Sequence, residues 1–347
     1  MSNLGNIGIE VIDKLEDEKI IDIVNQVSTR LMVAYPNSNL SYLDIYKTLL
    51  DTPMYYAKVP EGLSKVNYYY KDSSIYFAED ANLSEIDEYV LHECVHKLQE
   101  RKDKKGNITR IGISEINELS VKATALNEAA VQYVTVNAFN MPVKSVTVYD
   151  ITLPTKTEYY PMITNIITQI AYLLGEDVLI DSTINGKEDF KIEIIDNLGE
   201  SQYNTLERNL NELLRLKNEI AELQKNSENE KIKEDIKTIR NKFFETQNMI
   251  YMTYFNDLLK RTENVMEIKM LKAKLNEYRN YIGTAQDYTD FDMYCIDFED
   301  AANARIDDLK NQKSLVVFKD NIFFRILRRI KQLFSSKTTT THSARTN

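Results

Sequence analysis

The chain has 347 residues, 43% of them hydrophobic, with 53 acidic against 43 basic side chains and a net charge of −10. That length and apolar content exclude a disordered chain and leave room for two domains, or one domain with an extension. Two cysteines, Cys94 and Cys295, exclude a disulfide framework, no run of 18 apolar residues offers a spanning helix, and residues 1–9 lack the regions of a signal peptide, so a cytoplasmic protein is expected.

In chain order, residues 9–33 and 41–50 predict two helices. Two short strand-like runs follow, 66–70 and 74–78, joined by a Lys71-Asp72-Ser73 turn. Ser84 and Asp87 read as a capping-box start, after which Ile86, Val90, Cys94 and Leu98 recur at helical spacing through Arg101.

Inside that helix stands the feature that speaks most directly of chemistry, His92-Glu93-Cys94-Val95-His96. Positions i and i+4 of a helix lie on one face about a turn apart, so both imidazoles can converge on one ion with Glu93 beside it. The third histidine, His342, lies in a Thr/Ser-rich tail, so the body of the chain commits both of its histidines to this motif. A catalytic zinc site takes three protein ligands and leaves the fourth position to water. No histidine follows at the six-residue spacing, where Lys102 stands, so a glutamate is the natural third ligand. Residues 103–114, with Gly106 and Gly112, read as a loop, and residues 123–138 as a helix carrying Glu128 among small residues. Glu115 and Glu118 are rivals to Glu128 should their segment fold over the metal.

Beyond Pro142 a strand-like stretch, 143–151, ends at Pro154, and helices are expected over 159–174, 176–184 and 187–198, with Gly175, Gly186 and Gly199 as stops. From Ser201, Leu206, Leu210, Leu213, Ile220 and Leu223 form one apolar stripe, and Ile232, Ile236, Ile239, Phe243 and Ile250 another, as in an antiparallel helical hairpin or short coiled coil. A further helix is expected over 262–281. Residues 310–347 carry nine Lys or Arg against Asp320, which leaves 34 basic and 52 acidic residues, a net of −18, in residues 1–309. An acidic body argues against nucleic acid as a partner. Phe323, Ile326, Leu327, Ile330, Leu333 and Phe334 make a basic amphipathic helix of 313–334, whose segment 315–334 suits either an anionic membrane surface, with peripheral attachment at its inner face, or the acidic body itself.

The pentad His92 to His96 together with Asn127-Glu128 resembles the gluzincins, zinc peptidases whose third ligand is a glutamate in an Asn-Glu motif; the likeness covers roughly residues 66–138. More loosely, residues 84–199 look like uncharacterised metallopeptidases of low-GC bacteria. The resemblance implies His92, His96 and Glu128 as Zn2+ ligands, Glu93 as general base, a peptide or protein substrate, and a hairpin whose edge strand borders the cleft. It departs at Gln132, where the family commonly places an aspartate to orient a histidine; a neutral amide there weakens ligand basicity. The oxyanion of acyl transfer needs a donor, for which Tyr159 and Tyr160 are the candidates, with Tyr133 behind them.

The expected fold class is mainly α (α+β): N-terminal helices over 1–53, a zincin-like catalytic domain with a small antiparallel sheet over 54–200, a helical bundle or coiled-coil extension over 201–312, the basic helix, and a disordered tail over 335–347. The expected function is zinc-dependent peptide hydrolysis. The competing reading is a membrane-attached helical scaffold or partner-binding protein whose zinc site is structural or degenerate.

Overall fold

A computed structural model describes residues 8–39, 41–116, 124–226 and 229–311. The expectations for the basic helix 313–334, its membrane-facing segment 315–334, the tail 335–347 and Glu118 lie outside the described residues. Mainly helical architecture with small sheets is what the chain adopts.

The first element is a strand, β1 (Glu10–Lys14), where sequence periodicity pointed to helix. All five residues are exposed, Val11 and Ile12 included, so no inward face marks them as strand. Helix α1 (Asp17–Ala34) follows, then α2 (Tyr42–Leu50), whose Ser41 and Asp44 form a reciprocal capping box. The strands β2 (Met54–Lys58), β3 (Val66–Tyr69) and β4 (Ser74–Ala78) complete a sheet in the order β1-β2-β4-β3. The expected β3–β4 hairpin is antiparallel, but β2 runs parallel to β4, so the sheet is mixed. β3 is therefore an edge strand, and its open side faces the next helix.

That helix, α3 (Glu88–Leu98), starts a turn later than the Ser84 start expected: Asp87 is the cap, its carboxylate accepting from the Val90 amide, while Ser84 bonds to Asn82. It also ends before Arg101. The expected loop after it is a three-stranded sheet of β5 (Glu100–Lys102), β6 (Ile108–Ile111) and β7 (Ser114–Glu115). Helix α4 (Thr124–Ala138) comes next, then a hairpin of β8 (Lys144–Val148) and β9 (Ile151–Thr155) in place of a single strand. Tyr149 and Asp150 both adopt positive φ, 51° and 61°, the conformation of a two-residue I′ turn. Neither residue advertises that turn as Asn-Gly would.

Helices α5 (Pro161–Leu174), α6 (Glu176–Ile184) and α7 (Asp189–Leu198) fall where the glycine stops place them. The two long helices α8 (Glu200–Asn226) and α9 (Asn229–Arg261) are the expected hairpin, antiparallel because Asn209 bonds to Thr246 and Lys231 pairs with Glu219. α10 (Val265–Tyr278) and α11 (Asp290–Asn311) close the bundle. No single described helix is long and apolar enough to cross a membrane.

Two cores hold this together. One lies between the sheet, α1, α2 and α3, centred on Ile23, Leu49, Ile75, Phe77, Leu91 and Cys94. The larger runs without a break from Ile113 through α5 to Ala302 of α11 and takes in most of the stripes of α8 and α9. Helix α4 belongs to both: Val131, Val134 and Ala138 face the first core, and Ala125, Leu126, Ala129 and Ala130 the second. A helix that is apolar most of the way round is one buried most of the way round, and between Ala125 and Val136 α4 is buried everywhere except at Glu128.

Candidate metal centre

α3 turns Val90, Leu91, Cys94, Val95 and Leu98 into the sheet-side core, which leaves His92 and His96 on the opposite face, toward α4. Glu128 stands on α4 one turn in from its start, where flanking alanines let the two helices approach. The three side chains meet. His92 Nε2 lies 3.1 Å from His96 Nε2, Glu128 Oε2 lies 3.2 Å from His92 Nε2, and Glu128 Oε1 lies 3.4 Å from His96 Nε2. This group could hold a metal ion. Burial alone would raise the Glu128 carboxyl, but the two imidazoles overrule it and hold the group well below the usual carboxylate range.

Each imidazole is braced from behind. His92 Nδ1 lies 2.9 Å from Gln132 Oε1, and the Gln132 amide is fixed in that sense because its Nε2 donates to Thr157 Oγ1 (2.9 Å) and Glu88 Oε2 (3.3 Å). An oxygen at Nδ1 selects the tautomer with its proton there, so the Nε2 lone pair of His92 points into the cluster. The neutral residue at position 132 is thus backed by a carboxylate one bond further out.

His96 is held differently. Asn127 Nδ2 stands 3.4 Å from His96 Nδ1 and donates to Gln99 Oε1 (3.1 Å), while Asn127 Oδ1 accepts from the Ile113 amide (3.1 Å). A neutral His96 that lends Nε2 to a cation carries its proton on Nδ1 and wants an oxygen there. The Ile113 amide instead commits the Asn127 oxygen away from His96, and Gln99 Nε2 is buried without a partner among the described residues. Gly112 makes the cluster possible: its φ is +56°, and a Cβ there would sit 2.2 Å from Asn127 Oδ1 and 2.6 Å from Gln99 Nε2.

Glu93 lies beside the triangle, and its Oε2 accepts a 2.8 Å bond from the Tyr68 amide on the open edge of β3. Burial pushes its carboxyl up to about 7, helped by the Glu128 charge and opposed by His92 and the Tyr68 bond. Tyr68 is a residue that sequence reasoning did not single out. Besides that amide, its ring stacks on His96 (6.1 Å between centroids) and its hydroxyl donates to Glu100 Oε1, itself salt-bridged to Lys97. Period-two alternation identifies β3 but gives no sign that one tyrosine ties the strand to α3 twice and to β5 once.

Tyr159 and Tyr160 line the wall opposite. The Tyr159 ring stands edge-on to His92 at 6.2 Å, and its hydroxyl donates to that of Tyr160 (3.1 Å). Burial raises the Tyr159 phenol to about 12 and Tyr160 further, with Glu128 adding to both. Tyr160 takes φ +55° directly before Pro161, a left-handed conformation that a bulky side chain rarely adopts, and it starts α5 from there. Tyr133 turns elsewhere, its hydroxyl donating to Glu176. Glu115 is engaged by Lys191 at 2.5 Å, outside the His92, His96 and Glu128 group.

Set against known protein families, curated proteins and solved structures, the chain matches none of them.

Proposed function

We propose that the chain is a zinc-dependent peptide hydrolase of gluzincin-like plan, with His92, His96 and Glu128 holding the ion and Glu93 as general base. The observation that carries this reading is the donor triangle. The two Nε2 atoms stand 3.1 Å apart, near the spacing of about 3.3 Å that tetrahedral geometry gives for Zn–N bonds of about 2.0–2.1 Å, and each faces a different oxygen of Glu128, at 3.2 and 3.4 Å. Two imidazoles and a carboxylate are a catalytic donor set, whereas structural sites are closed by a fourth protein ligand. The nearest thiol, Cys94, belongs to the core side of α3.

When bound, the ion supplies Lewis acidity toward a water molecule and a substrate carbonyl. Glu93 takes the proton from the attacking water and returns it to the leaving amide nitrogen. Gln132 keeps His92 oriented, and a hydroxyl of the Tyr159–Tyr160 pair donates to the oxygen that gains charge. An extended peptide finds in β3 a strand edge with no neighbouring strand, next to the Tyr68 amide that donates to Glu93. The test is Glu93→Gln: the purified variant should keep about one zinc per chain by elemental analysis and lose cleavage of a peptide library. Equal cleavage by the variant would refute the assignment of the base.

A further inference from the structure

Helix α8 crosses the site. Its Asn211 Oδ1 accepts from the Ala125 amide at the start of the Glu128 helix (2.9 Å), and farther along the same helix Lys217 holds its ammonium 4.6 Å from the ring centre of Tyr160 and 5.5 Å from that of Tyr159. Lys217 is half-buried, and burial pulls its pKa below the ordinary lysine value. Among the described residues no carboxylate pairs with it. Its neighbours behave otherwise: Arg215 is shared between Glu212 and Glu219, Lys231 also reaches Glu219, and Glu158, next to the tyrosines in sequence, is taken by Lys144. Acidic residues outnumber basic ones by ten in this chain, so a half-buried cation left without an acid is out of pattern. Aromatic faces offset part of the cost of desolvating an ammonium, and a carboxylate offsets more.

We propose that Lys217 is a carboxylate-recognising subsite of the metal centre, selecting peptides with an acidic side chain or a free C-terminus close to the bond cleaved. The inference rests on the hydrolytic reading above. Its reach follows from the rings. The His92–Tyr159 and Tyr159–Lys217 separations of 6.2 and 5.5 Å put the ammonium within about 12 Å of the His92 ring, a span that an extended peptide covers in three to four residues. The left-handed Tyr160 before Pro161 fixes the ring on which the ammonium rests, so the charge stands at a set place. A hydrolase with a fixed cation at that distance reads charge near the scissile bond through a charge-assisted hydrogen bond.

Two experiments test this. In the first, peptide libraries with either a free or an amidated C-terminus are digested by the zinc-loaded parent, Lys217→Met and Lys217→Glu, and products are read by mass spectrometry. The parent should favour Asp or Glu over Asn or Gln near the cut, or the free over the amidated terminus, by about tenfold. Lys217→Met should lose that preference and Lys217→Glu should turn it toward Lys or Arg. In the second, immobilised Glu93→Gln, with and without Lys217→Met, is challenged with the same pools without turnover, and retention of carboxylate over carboxamide peptides should again depend on Lys217. Cleavage with no acid preference, or a preference that survives in both variants, overturns the subsite and leaves the hydrolase standing. Absence of any cleavage with Lys217-dependent retention does the reverse.

Discussion

Gln132→Leu replaces the acceptor of His92 Nδ1 with an apolar group of similar bulk. His92 is only 3% exposed, so its Nδ1–H then lies buried without a partner, at a cost of about 1–3 kcal/mol. Loss of such a brace behind a metal-ligating histidine typically weakens the metal 10–100-fold, about 1.4–2.7 kcal/mol, in the same range. A chromophoric chelator titrated against the zinc-loaded protein should therefore show affinity lower by one to two decades. Thr157→Val is the control. It removes one of the two acceptors that hold the Gln132 amide, at 2.9 Å, but leaves Glu88 at 3.3 Å and the oxygen still aimed at His92, so the loss should stay below about fivefold. Circular dichroism should show both variants folded like the parent. Affinity unchanged in Gln132→Leu, or equally weakened in both, would refute the claim that the oxygen at Nδ1 prepares His92 for the metal.

Glu128→Ala should abolish stoichiometric zinc by elemental analysis, whereas Glu115→Ala, which loses a half-exposed pair with Lys191 worth about 0–1 kcal/mol, should retain it; equal zinc in both variants would move the third ligand elsewhere. Gly112→Ala should lower the midpoint of chemical denaturation by the equivalent of at least about 2 kcal/mol, because it combines a left-handed backbone with a Cβ against Asn127 and Gln99. A variant as stable as the parent would mean that the loop gives way freely.

The parts of this molecule that could be read from its sequence share one property: their signal is local. The pentad on α3, the glutamate on α4, the β3–β4 hairpin and the glycine stops of α5–α7 each announce themselves within about a dozen residues, and each stands close to where it was expected. β1 was hidden because an edge strand with no buried face has no alternation to read. The β5–β7 sheet was hidden because its strands have only two to four residues, and the β8–β9 turn because Tyr149 and Asp150 adopt positive φ under tertiary pressure, without the glycine that would signal it. The acidic helix α11 buries Phe291, Tyr294, Phe298 and Ala302 behind a dense run of Asp and Glu. At the site, the three side chains that come together, His92, His96 and Glu128, were legible and their supports were not. Gln99, Thr157, Tyr68 and Lys217 come from four separate stretches of the chain whose convergence depends on how α4 and α8 pack, which no short window of sequence contains.

The position of α4 between two cores has a consequence for how the centre opens. A surface loop that carries a ligand can fray and close again while the rest of the protein stays folded, so its metal exchanges through local openings. Glu128 has no such freedom, since moving its helix uncovers Val131 and Val134 on one side and Leu126, Ala129 and Ala130 on the other. The amides of α4 should therefore belong to the slowest-exchanging class of the molecule, the class that opens only with global unfolding. A bound ion then adds its full mass-action stabilisation to the whole fold and not to one segment of it.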